Sequence, residues 1–148
     1  MGFKTIVEAN NEISCCYQRG LQALGANSGK VIAADTRKLN GSVFLDSCVS
    51  AKYPQDHRWD YIIGYKNEAC FVEIHPASTS NISEMINKLK WLKSWLQTSA
   101  ADLNSIKTKD SPFRWVSTGK VSILKDSPQS LRLAASGLSF PQKITELK

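Results

Sequence analysis

An α/β (α+β) domain with a central mixed sheet and helices on its faces is the fold class this sequence predicts. Three observations carry that expectation. Residues 42–75 hold three consecutive strand-forming segments. A long amphipathic helix pattern follows from Ile82 to Leu96. A further strand pattern opens at Phe113. At 148 residues the chain suits a single domain, residues 1–148, around one core.

The elements follow in order. In residues 10–24, Ile13, Cys16, Tyr17, Leu21 and Leu24 recur at helical spacing, with Gly25 as a stop. "KVIAAD" reads equally as a short strand or a helical turn. Residues 42–50 alternate and are rich in strand formers. Residues 59–65 and 69–75 read as a hairpin joined at "KNE", and Pro76 ends the second arm because it cannot donate to a ladder. Asn81 and Glu84 form a capping-box-like pair before the stripe Ile82, Met85, Ile86, Leu89, Leu92 and Leu96. Residues 113–124 read as a strand bent at Gly119. A short helix then starts at Pro128 and stops at Gly137. Residues 138–147 read as a last edge strand.

The net charge is +6, and its placement is uneven. Residues 86–125 carry eight basic groups against Asp102 and Asp110. Such a segment suits an anionic partner such as nucleic acid, and equally a solvated lysine-rich face. No apolar run reaches membrane-spanning length, and acidic and amide residues interrupt the N-terminal segment too early for a signal-peptide core. A cytoplasmic location is the expectation, with Cys15, Cys16, Cys48 and Cys70 reduced and mostly buried. No C-x-x-C spacing marks a zinc site. Nucleotide-binding glycine loops and a serine nucleophile elbow are absent too.

"RWDYIIGYKNEACFVEIHPAS" carries the chemistry. Residues two apart on a strand share a face, so Glu73 and His75 project together. With the hairpin turn centred near Asn67, residues whose numbers sum to about 134 lie opposite each other. Asp60 then falls opposite Ile74 or a neighbour, beside Glu73 and His75. Oxygen donors grouped in this way suit magnesium or manganese. The same acids also read as solvated residues at strand ends. A His57/His75/Asp60 metal set is conceivable from "DHRWD".

The order of helix, three-stranded meander with an acid opening the second strand, E-x-H tripeptide in the third, helix and strand resembles the PD-(D/E)XK nuclease superfamily, the restriction-endonuclease-like fold. The resemblance spans about residues 5–123. It implies a metal-dependent nuclease in which Asp60 and Glu73 hold the metal. A glutamate of the first helix would complete the site, Glu12 ahead of Glu8. His75 stands where the family has its water-activating lysine. A neutral imidazole stabilises developing negative charge poorly, and the resemblance implies that in some members a lysine from a nearby helix substitutes. Lys88, about 9 Å along the second helix from Ile82, is nearer than Lys93, about 17 Å along. Both also read as surface lysines. Lys88, Lys90, Lys93 and Trp91 are the candidate nucleic-acid contacts, with Trp91 stacking on a base, anchoring a protein partner, or lying covered by the chain itself. A member of the fold that binds nucleic acid or protein without catalysis is the alternative.

Overall fold

The computed structural model describes residues 2–148. Its elements are α1 (Phe3–Ala9), β1 (Val31–Ala33), β2 (Leu39–Phe44), α2 (Leu45–Cys48), β3 (Tyr61–Tyr65), β4 (Glu68–His75), α3 (Ile82–Ser99), α4 (Ala101–Ser105), β5 (Phe113–Ser117), α5 (Pro128–Ser136) and β6 (Thr145–Leu147). The architecture is mixed α+β, as expected. Four strands form one mixed sheet in the order β2-β3-β4-β5. β3 runs antiparallel to both its neighbours, and β5 runs parallel to β4.

The sheet has two buried faces because residues alternate along each strand. Ala69 and Phe71 of β4 and Ile62 of β3 face α1 and α3 in the larger core cluster. Cys70 and Val72 of β4, with Tyr61, Ile63 and Tyr65 of β3, face Leu24, Val31 and Leu147. That second face is covered by a 3-10 segment over Gln22–Lys30 and by a separate parallel pair, β1 with β6.

The hairpin is tighter than the composition implied. Lys66 and Asn67 both adopt positive φ, 52° and 58°, which fits a two-residue turn matched to the twist of the strands. The register therefore pairs Tyr65 with Glu68 and Tyr61 with Val72. The paired numbers sum to 133 rather than 134, which aligns Asp60 with Glu73, the neighbour of Ile74 that the expectation allowed.

Four elements depart from the sequence reading. The first helix is Phe3–Ala9, not residues 10–24. Phe3, Ile6 and Val7 supply its buried face, while Gly20 holds positive φ inside the expected span and interrupts it. β2 ends at Phe44, and the chain turns into α2, where Leu45 and Val49 are both buried one helical turn apart. The strand after α4 stops at Ser117, before Gly119. The last strand shrinks to three residues and pairs with β1, outside the main sheet. α3 and α5 fall where the periodicity put them, with Gly137 in the left-handed region ending α5.

The expectation of four free thiols is also corrected. Cys16 and Cys48 form a disulfide, leaving Cys15 exposed and Cys70 buried as free thiols. No helix is long and apolar enough to cross a membrane among the described residues.

Candidate active site at the open end of the hairpin

Asp60 sits one residue before β3 and is held from three sides. Its carbonyl accepts the Leu45 and Asp46 N–H groups at the start of α2, at 2.7 and 3.3 Å. Its own N–H donates to Glu73 Oε1 at 2.9 Å. Its Oδ2 accepts the Ile74 N–H at 3.1 Å. The carboxylate is thus fixed by one main-chain N–H of β4, and the backbone of Asp60 is tied to the start of α2 and to Glu73.

Glu73 is on the α3 side of β4 and is fully buried. Its second oxygen, Oε2, accepts Lys88 Nζ at 2.7 Å. Lys88 approaches from the middle of α3, and only 15% of its side chain is exposed. Burial first, then the negative charge of Asp60, pushes the Glu73 carboxyl well above the usual range, while Lys88 opposes the shift. Burial likewise raises Asp60 against the pull of Lys88 and the Ile74 N–H. Lys88 moves upward: burial lowers it, but Glu73 and Asp60 outweigh burial. Two carboxyl groups share one ammonium group, so the cluster tends to hold on to a proton or to attract a further cation.

His75 shares the Glu73 side of β4, as two-residue spacing requires. Its ring is nevertheless engaged elsewhere. Nε2 lies 3.2 Å from Glu84 Oε2, and Nδ1 lies 3.0 Å from the Pro76 carbonyl. Glu84 thus pairs with histidine, while Asn81 Oδ1 accepts the Ser78 N–H in a capping box one turn earlier. Glu84 and Lys88 are four apart on α3, so one helix edge grips β4 at both His75 and Glu73.

Glu12 is not brought to this cluster. It lies in the turn after α1, where Oε1 accepts Tyr53 Oη at 2.9 Å and Trp95 Nε1 at 3.2 Å, and Oε2 pairs with Lys52 at 3.2 Å. Trp95 is two helical turns beyond Lys88, about 10 Å along α3. Glu8 is exposed on α1, and His57 is exposed in the loop before β3.

The expected nucleic-acid contacts separate in the same way. Trp91 is half-buried. It stacks on Trp95 at 6.1 Å, meets the edge of Tyr53 at 5.6 Å, and donates Nε1 to Asp56 at 3.0 Å. The loop before β3 therefore covers it. Lys93 donates to the Ser136 carbonyl at the end of α5 and lies over the Phe113 ring. Lys90 remains exposed.

Asp46 was not singled out from the sequence. Its Oδ1 pairs with Arg58 Nε at 2.9 Å, while Arg58 Nη1 donates to the Tyr53 carbonyl at 2.7 Å. Its charge reaches both Asp60 and Lys88. The signal lay in "FLDSC", which reads as a strand only until Asp46 is seen as an acid in the first turn of a helix.

A cavity of about 580 Å³ lies away from the cluster, lined by Arg114, Gln142, Thr145 and neighbours where β5 approaches β6. Comparison with protein-family models, curated proteins and solved structures finds no match to this chain.

Proposed function

We propose that the chain is a metal-dependent, nuclease-like phosphodiester hydrolase of PD-(D/E)XK type in which Lys88 takes the place of the motif lysine. The observation that carries this reading is the 2.7 Å contact between Lys88 Nζ and Glu73 Oε2, with Glu73 Oε1 bonded to the Asp60 N–H. An acid before the second strand of the main sheet, an acid in the third and a lysine from the following helix thereby meet at one point.

The donor set fits a hard divalent ion. Asp60 and Glu73 offer carboxylate oxygens suited to such an ion, and burial, the first cause of their raised proton affinity, leaves both carboxyl groups short of solvation that a cation would supply. Asp60 and Glu73 would hold magnesium or manganese. Such an ion supplies a Lewis acid for a phosphate oxygen and acidifies a bound water. Lys88, 2.7 Å from Glu73 Oε2, would supply a fixed positive charge beside the phosphate or the attacking water. His75 and Glu84 hold the end of β4 against α3 and so fix where Lys88 meets Glu73. Exposed lysines such as Lys90 bear the nucleic-acid backbone.

A second reading has its own support. Glu73 is wholly buried and both its oxygens are occupied, which suits a fold relative that binds nucleic acid or protein without turnover. Plasmid and single-stranded substrates incubated with magnesium or manganese separate the two. The nuclease reading expects cleavage that falls about a hundredfold or more in Asp60→Asn, Glu73→Gln and Lys88→Ala. Equal cutting by the wild type and all three variants points to a contaminant and removes the claim. Retention of nucleic acid without cutting selects the binding module.

A further inference from the structure

We propose that Cys15, Cys16 and Cys48 form a thiolate site for one soft divalent metal ion, zinc by its donor chemistry, which opens when the Cys16–Cys48 disulfide is reduced. Nothing in the linear spacing of the cysteines marks such a site. The fold creates it. Cys15 and Cys16 lie on a single 3-10 turn, Ser14–Cys16, and Cys48 is the last residue of α2. The three Sγ atoms lie within 4.8 Å of one another, and Cys15 Sγ is 3.9 Å from Cys16 Sγ.

One of those separations already matches the need of the metal, and the Cys16–Cys48 pair must part before it does. Tetrahedral zinc with sulfur at about 2.3 Å places its sulfurs about 3.8 Å apart. Cys15 and Cys16 already stand at that spacing. Breaking the Cys16–Cys48 bond lets the third sulfur move outward to reach it. Cys15 is exposed, while Cys16 and Cys48 are half-buried, so one edge of the site is open to solvent and a water can complete the coordination. The Glu12 carbonyl lies 3.5 Å from Cys48 Sγ, an acceptor for a Cys48 thiol in the reduced, metal-free state.

The chemistry balances with a dithiol as reductant. The dithiol passes two electrons and two protons to the Cys16–Cys48 disulfide and closes into its own disulfide. The two thiols so formed and the free Cys15 thiol give up their protons as the metal binds. Exchange with a disulfide oxidant runs the sequence backwards: the Cys16 and Cys48 thiolates pass two electrons to that disulfide, which is reduced to a dithiol, and join as the metal leaves. The site is separate from the Asp60, Glu73 and Lys88 cluster and draws on softer donors, so its fate does not follow that of the nuclease reading.

The test uses the full chain, reduced with dithiothreitol, desalted without oxygen, and titrated with zinc against a chromophoric chelator and with cobalt for its thiolate charge-transfer absorption. One ion per chain with a thiolate band is expected for the reduced protein, and no such band for the oxidised protein. Cys15→Ser, an exposed substitution that leaves the core intact, weakens zinc binding at least about tenfold. Cys70→Ser leaves it unchanged. Absence of the thiolate band in the reduced wild type overturns the proposal. So does unchanged affinity in Cys15→Ser, or loss of zinc in Asp60→Asn/Glu73→Gln but not in the cysteine variant.

Discussion

Replacing Lys88 with methionine leaves Glu73 buried with no cation to meet it. Breaking one partner of a buried pair costs about 3–5 kcal/mol, and Glu73 is fully buried with Lys88 nearly so. Chemical denaturation of Lys88→Met near pH 7 should therefore show a loss of that order. The loss should shrink in acid, where Glu73 takes up a proton. The wild type carries a weaker form of the same dependence. Glu73 and Asp60 hold protons more tightly folded than unfolded, so the folded state binds more protons across the window from their ordinary values up to the raised ones. Their contribution to stability falls as pH rises through that window. Glu73→Gln should flatten the fall, measured by denaturation midpoints at a series of pH values, and an unchanged slope would contradict the burial of a titrating carboxyl. Glu12 has the opposite sign. Burial raises it, but Tyr53, Trp95 and Lys52 bring it below its ordinary value, so its stabilisation is present above that value and is lost as pH falls through the lowered one. At this scale Asp60 and Glu73 were legible because two-residue strand spacing leaves a side chain little choice of face. The partner of Lys88 was not, since helix periodicity gives position along an axis but not which strand the helix crosses. Glu12 was misjudged because its helix was misplaced.

The hairpin and α1 depend on each other through one missing side chain. A Cβ on Gly64 would run into the Phe3 ring, so β3 keeps a bare backbone where α1 packs against the sheet. Gly64→Ala should destabilise the chain by about 1–3 kcal/mol, the cost of forcing extra volume into a packed core, read as a lowered midpoint in thermal unfolding. A midpoint equal to wild type would mean that Phe3 is not seated there. The strongly periodic α3 and the Pro128-to-Gly137 helix were readable because their apolar stripes and end signals agree. Residues 10–24 misled because several apolar residues fell at helical spacing by chance, while Gly20 at positive φ breaks the segment into turns. The α2 turn was hidden for a different reason. Its Leu45 and Asp46 N–H groups are spent on the Asp60 carbonyl, a tertiary contact that no local propensity reports. The Cys16–Cys48 bond lay beyond reach for the same cause, because 32 residues separate its ends.

Across the whole molecule, the mixed sheet order was legible as a class, from the run of meander, helix and strand, and the small β1–β6 sheet was not, since three-residue strands carry almost no pattern. The basic third of the chain divides by use. Lys88 enters the sheet face and Lys93 ties down α5, whereas Lys90 stays in solvent. If that surface meets nucleic acid, Lys90→Ala should reduce the slope of log affinity against log salt by about one, seen in binding isotherms at several salt concentrations. An unchanged slope would take Lys90 out of the interface. The central claim is that Asp60 and Glu73 together hold a divalent ion beside Lys88. Calorimetric titration of the chain with manganese addresses it most directly. The account predicts one ion per chain in the wild type and no binding heat in Asp60→Asn/Glu73→Gln; a silent wild type, or the same heat from both proteins, would contradict it.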